Sequence, residues 1–397
     1  MPSLCLVAGD PSGDAHAARL VNALTRLDPS LTFAALGGPH LQQAGVGLLD
    51  DLTATAAIGP FDAAKHLGRF ARARRRLAEH LSTTHTDAVI LVDFGDFNLP
   101  VMAPLAKRFG CRVLYYISPQ LWAWGRFRLH WVRRYVDRMI VFFKFEEAFY
   151  RQLGIPVTWV GHPLVDEAIP SLAREQAQTE LGLNPWRMTV GLLPGSRYQE
   201  IRRHLPLLLA GARTIAWHMP GVEFLLPKAP QADERLFDPL TSCGLDVRVC
   251  ENRIYDCLQV MDAAIVASGT ATVEAALCEV PMVVVYRTSW PTYLAAKAVI
   301  RVPHIAMVNL IAGGPVVPEC VQHQATPQRI GKTLVELLRN PERKAKMRAQ
   351  LRAIREQLGA GGAVERAARV ILEEIGDSST VHRQPSTVKH ESGVTMR

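Results

Sequence analysis

No run of about 18 residues or more is both predominantly apolar and free of charged side chains, so no segment is expected to span a bilayer. The seven cysteines are odd in number and form no C-x-x-C pair. That argues against a disulfide framework or a zinc site and for reduced thiols. Cys243, Cys250 and Cys257 recur every seven residues but straddle a predicted strand and helix, and the recurrence reads as coincidence. No histidine, His130 and His162 included, stands in a metal-binding spacing such as H-E-x-x-H, so neither a metal nor a cofactor is expected. A G-x-G-x-x-G turn is missing, which removes a dinucleotide site from the expectations. The opening MPSLCLVAGD lacks a basic n-region and reads as a strand, so no signal peptide is expected. There is no short-period repeat.

What is present suits two domains. The chain has 397 residues, too many for one comfortable core, and its 48% apolar and 21% charged composition is that of a well-packed globular protein. A formal charge of +8 points to an anionic partner: a nucleotide, a phospholipid surface or nucleic acid. Apolar strand-like runs at 3–9, 31–37, 87–92, 112–117, 138–143 and 157–160 alternate with helical patterns at 14–27, 61–81 and 144–153. After a polar stretch, 165–186, strands resume at 189–193, 223–226, 247–250, 263–267 and 282–286, with helices at 199–217 and 270–278 among them. Such alternation predicts two parallel sheets, each with helices on both faces. Beyond Thr326 the chain is helical and charged to about Ile375, broken by Gly361-Gly362 into two helices. The last stretch, 376–397, lacks apolar periodicity and is expected to be disordered.

Two segments of the second half point to an anion. In GLLPGSRYQEI (191–201) a buried strand stops at Pro194-Gly195, and Ser196 with Gln199 fits a capping box that places Arg197 in a helix's first turn. A cation there opposes the helix dipole and makes sense if a multiply charged anion is bound. In VASGTATVEAALCEV (266–280) a strand runs through Ser268-Gly269-Thr270-Ala271 into a helix. Small residues let a phosphate approach the free N–H groups, and Glu274, one turn on, can accept hydrogen bonds from ribose hydroxyls. Both segments follow strands and should meet at the carboxyl edge of one sheet. Either alone has a bland reading, a small-residue turn or a solvated carboxylate.

In the first half, AGDPSGDAHAARL (8–20) gives a turn bracketed by Gly9 and Gly13, with Asp14 as the expected helix cap. Asp10 is either a turn residue or a contact to a polar ligand. VILVDFGDFNLP (89–100) brings Asp93 and Asp96 to a strand end, where a carboxylate can act as general base towards a sugar hydroxyl; the alternative is an Asx-turn plus an N-cap. SPQLWAWGRFRLHWVRRY (118–135) mixes Trp122, Trp124 and Trp131 with Arg126, Arg128, Arg133 and Arg134. That mixture suits RNA stacking or a membrane interface. The 61–81 helix adds Arg69, Arg72, Arg74, Arg75 and Arg76 beside Leu67 and Phe70, either a solvated face or an anion-seeking one.

The ordered runs GDPSGD, VDFGDFN, YYISPQLWAW, VGHPLVD, LLPGSR, ASGTATVEAAL, PMVVVYR and VNLIAGGPVVPE resemble those of the lipid-A-disaccharide synthases over about residues 3–375. The resemblance implies an α/β GT-B fold, two Rossmann-like doubly wound domains facing a central cleft. The first domain would be 1–165, an acceptor domain, with helices at about 345–375 as candidates to pack back on it; the second, 166–344, would bind the UDP-sugar. It implies inverting transfer of 2,3-diacylglucosamine from its UDP derivative to 2,3-diacylglucosamine 1-phosphate, without a metal, on the inner face of a Gram-negative inner membrane.

Carried onto this chain, the resemblance puts Arg197 on the diphosphate and Ser268, Gly269 and Thr270 in the phosphate turn. Glu274 would lie on the ribose and Asn309 at the donor site. It makes Asp96 the first choice for the base and Asp93 the second. Asp10, Ser12 and Gly13 are candidates for the acceptor side or cleft, and Phe61, Leu67, Arg69, Phe70 and Arg72 for an anionic membrane surface. A homodimer is among the assemblies it admits, and no nucleic-acid partner is implied. Relatives often carry glutamate where Asp10 stands and proline where Lys144 stands. The 58–77 surface is richer in arginine than expected, which would shift docking towards lipid headgroups. Other readings are a UDP-sugar epimerase on the same scaffold and a non-catalytic RNA-binding protein.

Overall fold

The computed structural model describes residues 1–53, 67–229, 232–299 and 302–381. Seven strands form the first sheet: β1 (Ser3–Ala8), β2 (Thr32–Gly37), β3 (Gly47–Asp51), β4 (Ala88–Val92), β5 (Arg112–Tyr116), β6 (Arg138–Val141) and β7 (Val157–Trp159). Their order is β3-β2-β1-β4-β5-β6-β7, parallel throughout. Six more form the second: β8 (Thr189–Leu193), β9 (Glu223–Lys228), β10 (Val247–Glu251), β11 (Ala263–Ala267), β12 (Met282–Tyr286) and β13 (Glu319–Val321), in the order β10-β9-β8-β11-β12-β13, again parallel. Both are doubly wound. The central strands are unbroken apolar runs because helices cover both faces; β4 and β11 are buried at every position.

In each sheet the chain order reverses beside the first strand, between β1 and β4 and between β8 and β11. At such a switch point the loops leaving the two strands diverge and open a crevice at the carboxyl edge. Asp10 and Asp93 leave one switch point; Arg197 and Ser268 leave the other.

Several local expectations are corrected. The first helix is Pro11–Leu27 and its N-cap is Asp10, whose Oδ1 accepts from the Gly13 N–H at 2.8 Å. Proline at the first helical position fixes that start. Asp14, expected as the cap, is fully buried one turn in and accepts from Gly38 N–H (2.7 Å) and His40 N–H (2.8 Å). It therefore caps the short Pro39–Gln43 helix, whose own N-cap is a glycine without a side chain to do so. Asp14→Ala leaves those donors buried and unpaired, and a loss of about 1–3 kcal/mol in urea unfolding is expected.

The capping box at the end of β8 is also one residue later than read: Arg197 is the N-cap of Tyr198–His218, and the N3 carboxylate is Glu200 rather than Gln199. Strands β3 and β13 were not foreseen. Both are short edge strands, β3 only partly buried, so neither displays a strong apolar run.

The C-terminal region holds three helices rather than two, because Asn340 ends Pro327–Arg339 and caps Pro341–Gln357. The last, Ala363–Val381, runs six residues into the segment expected to be disordered. Met347, Leu351 and Ile354 of the 341–357 helix join the second core. Ala367, Ala368, Ile371 and Ile375 join the first, against the 11–27 helix. The chain thus crosses between the sheets twice, and the crossings touch where His162 N–H donates to Leu358 O at 2.9 Å.

Candidate active site

After β4 the backbone does something costly. Asp93 and Phe94 are both left-handed, at φ 43° and 49°, a region non-glycine residues seldom occupy. The loop is held there from below. The Asp93 carbonyl accepts from Tyr115 Oη (2.5 Å) and from Asn98 Nδ2 (2.9 Å), and Asn98 is fully buried. Gly9 completes the fit, since a Cβ there would sit 2.2 Å from the Phe94 ring.

This turn sets two carboxylates in different surroundings. Asp93 is half-buried and its carboxyl is pushed up to about 7, by burial first and by Asp10 next; the Phe94 N–H and the Arg197 charge pull it back. Asp96 stands 77% exposed at the edge, paired at 2.5 Å with Arg128. Arg128 is itself buried, with its guanidinium 4.2 Å from the Trp124 ring centroid. A third carboxylate, Glu146, is buried and accepts from Trp122 Nε1 (3.0 Å) and Phe143 N–H (3.2 Å). Burial pushes it up to about 8 despite those donors, and Asp93 adds to the rise.

Trp122, Trp124 and Arg128 therefore serve this cluster, not an open stacking platform. Sequence reading passed over Glu146 as a functional residue; its place three residues into the helix after β6 was the available signal.

Across the gap, Arg197 is 81% exposed and only loosely tied to Glu200, at 3.3 Å. Glu200 Oε2 also accepts from the Ser196 and Arg197 N–H groups at 3.2 and 3.3 Å. Behind them His204 bridges the ends of β8 and β12. Its Nδ1 donates to Pro194 O at 3.3 Å and its Nε2 accepts from Arg287 N–H at 3.2 Å, the arrangement of a neutral ring. Burial lowers its pKa, in keeping with that tautomer.

Ser268 Oγ donates to Ile305 O at 3.0 Å, which fixes the turn before the Thr270–Leu277 helix. Gly269 has φ 157°, and among the described residues no atom beyond its chain neighbours lies within 4 Å of where a Cβ would be, so the turn is open on that side. Glu274 is half-buried beside Tyr255, whose hydroxyl donates to it at 3.2 Å. Burial raises its carboxyl, the Tyr255 bond opposes the rise, and Glu167 adds to it.

Asn309 is placed differently from a ligand contact. Fully buried, it donates to Val317 O and Glu319 Oε1 (2.9 and 2.8 Å) and accepts from Val316 and Val317 N–H (2.8 and 2.9 Å). All its amide capacity goes into the fold. Glu319 in turn holds the Ile305 and Ala306 N–H groups, so Asn309 supports the loop that anchors Ser268.

Among the surface residues, Leu67, Arg69 and Arg72 are exposed, whereas Phe70 turns inward, its ring 4.8 Å from Phe97. It belongs to the stripe Phe70, Ala73, Leu77, Leu81 by which the Leu67–Thr83 helix packs. Phe61 lies outside the described residues. Among the described residues no helix is long and apolar enough to cross a membrane.

The lipid-A-disaccharide synthetase family model matches residues 4–373. The chain belongs to that family. It is 44% identical over 372 residues to a lipid-A-disaccharide synthase of Geobacter metallireducens, covering 94% of this chain and 97% of the relative. Against the synthase of Nitrosococcus oceani it is 42% identical over 373 residues, 94% and 95% of the two chains. This makes it a glycosyltransferase that forms the lipid A disaccharide, with a UDP-sugar donor and a sugar acceptor.

Solved structures of the same GT-B fold include a UDP-GlcNAc 2-epimerase of Neisseria meningitidis (TM-score 0.64, 14% identity, 94% and 100% coverage). The lipopolysaccharide glycosyltransferase WaaG is another (0.56, 12%, 94% and 99%). At such identities these show architecture alone, so the epimerase does not revive the epimerase reading; the family match favours the transferase over both alternatives.

Asp93 provides a pH test. Its folded pKa near 7 lies above the ordinary 3.8, so the folded state holds this proton more tightly than the unfolded chain. Its contribution to stability is present at pH 4 and is lost as pH rises to about 7. Asp93→Asn, which also suits the left-handed backbone, is expected to melt higher than the parent at pH 8 and to gain nothing at pH 4 to 5. Equal shifts at both pH values in circular dichroism melts would contradict the buried-carboxyl assignment.

Proposed function

We propose that the chain transfers 2,3-diacylglucosamine from its UDP derivative to the 6-hydroxyl of 2,3-diacylglucosamine 1-phosphate, with inversion. On this reading the first sheet and its helices carry the acceptor and the second carries UDP. The observation that carries the proposal is the juxtaposition across the gap: the Arg197 charge, from one switch point, acts on Asp93 at the other, and Asp10 and Asp96 act on the same carboxyl.

Asp96 is the base, because an incoming hydroxyl must reach it and it is the exposed member of the cluster. Its carboxylate takes the hydroxyl proton while the oxygen attacks the anomeric carbon from the face opposite UDP. The bond to the β-phosphate oxygen breaks and its electron pair leaves with UDP. Arg197 and the N–H groups opening the 270–277 helix stabilise the charge that develops there, so no separate general acid is required. Asp93, Asp10, Ser12 and Gly13 shape the acceptor side, and Glu274 holds the ribose. Purified protein given both lipid sugars in detergent should release UDP and the disaccharide phosphate; no product at any detergent level sinks the proposal.

Gly269→Ala probes the phosphate turn. The added methyl meets no protein atom but enters the space assigned to the diphosphate, on a backbone that side chains rarely adopt. UDP affinity is expected to fall by tenfold or more in calorimetry, with a smaller loss of thermal stability.

The protein works at the inner face of the inner membrane as a peripheral enzyme. Exposed Leu67 and Phe127 with Arg69, Arg72, Arg74, Arg75 and Arg76 fit an anionic interface, the arginines supplying attraction and the apolar side chains shallow contact. Co-sedimentation with phosphatidylglycerol vesicles but not with phosphatidylcholine, weakened by salt, is the expected result. A homodimer is compatible with this arrangement.

A further inference from the structure

Away from the cleft, a cavity of about 370 Å³ opens where the two crossings of the chain run together. One wall is the first crossing, with Arg174 of the Arg174–Glu180 helix; the other is the 341–357 helix, which presents Arg348, Arg352 and Arg355. These last three are spaced i, i+4, i+7 and so share one helix face. Among the described residues Glu279 is the one carboxylate on the lining.

The ordinary explanation for such arginines is structural, and it accounts for three of them. Arg174 donates to Gln259 O and, at 3.3 Å, to Val260 O, at the end of the Ile254–Val260 helix. Arg355 does the same for Leu277 O at 3.2 Å, the end of the 270–277 helix. Arg352 forks onto Glu279 at 2.8 and 2.6 Å. Arg348 makes no such bond: its Nε is buried without a hydrogen-bond partner among the described residues.

The charges do not cancel either. Four guanidiniums face one carboxylate and two helix C-termini, each worth about −0.5 of a charge, which leaves an excess of about +2. Glu279 registers that excess, its carboxyl held below the usual range by the Arg352 hydrogen bonds first and by the charges of Arg352, Arg348 and Arg355.

We infer that this cavity binds a free phosphate-class dianion, a diphosphate or a phosphorylated small molecule, with Arg348 as its principal contact and Arg352 and Arg355 beside it. The forked, always-charged guanidinium matches several phosphate oxygens at once, and a second anion would relieve a repulsion that Glu279 relieves only in part. A soluble ligand is favoured over a lipid headgroup because six of the eleven lining residues are charged or polar and four of those are arginines. The inference is independent of the role proposed for Arg197.

The test is titration calorimetry of inorganic pyrophosphate into the full-length protein saturated with UDP, so that the donor site is occupied. One saturable site is expected, weakened by salt. Arg348→Ala should weaken it at least tenfold and Arg348→Lys less. Glu279→Gln, which removes the competing charge, should tighten it about threefold or more. Arg197→Ala should leave it unchanged, which separates this site from the donor cradle.

A merely structural arginine cluster would not give opposite signs for the Arg348 and Glu279 variants. Absence of saturable binding, or equal affinity in the parent, Arg348→Ala and Glu279→Gln proteins, overturns the inference. If Arg348→Ala fails to fold by circular dichroism, Glu279→Gln alone decides. Binding that is lost in Arg197→Ala places the pyrophosphate in the donor site and overturns it too.

Discussion

Asp96→Asn is expected to lower kcat by about 10²- to 10⁴-fold, the range a general base contributes, while leaving the affinity for UDP within about twofold. The separation follows from where the residue sits. Asp96 belongs to the first sheet's carboxyl edge, on the other sheet from the phosphate turn, and is paired with Arg128, which is buried under Trp124. Asparagine keeps the size and part of the hydrogen bonding to Arg128 but cannot take a proton from a hydroxyl. A folding defect would lower the melting temperature, and a binding defect would raise the Kd for UDP. Neither is expected. If the rate stays near normal, the base is not Asp96, and Asp93, whose carboxyl titrates near 7, is the group to substitute next.

Arg197→Ala is expected to weaken UDP binding by about 10- to 100-fold, the worth of a charge-assisted hydrogen bond of about 1.5–3 kcal/mol. It should also lower kcat, because charge on the departing diphosphate is greater in the transition state than in the bound donor. Arg197 is well suited to give up its present partner. It is exposed and held to Glu200 by a 3.3 Å contact only, so little is lost when it swings to a phosphate. Arg197→Lys should recover part of the affinity but less of the rate, since an ammonium cannot fork across two oxygens. Isothermal titration with UDP and steady-state kinetics separate the two effects; unchanged Kd and kcat in Arg197→Ala would remove the donor cradle from this half.

The architecture was largely legible because buried parallel strands have a signature that survives without context. Runs such as 88–92 and 263–267 are apolar at every position, and only a sheet covered on both faces tolerates that. The same runs pointed to the proposed site, since Asp93 and Ser268 follow directly where β4 and β11 end and Arg197 comes four residues after β8. Their order along the chain, with the alternating helices, was enough to expect two doubly wound units.

Side-chain partners were not legible, since they are set by contacts between residues far apart in sequence. Asp14 looks like a helix cap and is one, but for a helix that begins at Pro39. Phe70 sits in an arginine-rich run that reads as surface, yet the helix turns it onto Phe97. Asn309 lies in the VNLIAG run and uses its whole amide on the loop at 316–319. The protonation of Asp93 and Glu146 was equally hidden, because a carboxyl's pKa depends on desolvation and neighbouring charge, and the neighbours Asp10, Trp122 and Arg197 come from three other segments.

By itself, then, the sequence determined the two sheets, the strand ends where the proposed chemistry lies, and the family to which the chain belongs, since these rest on local apolar pattern and on motifs contiguous in the chain. The tertiary structure alone decided which carboxylate is buried and which exposed, which arginines are already paired, and where arginines outnumber the carboxylate they face. Those are matters of burial and distance between segments, and no one-dimensional spacing records them.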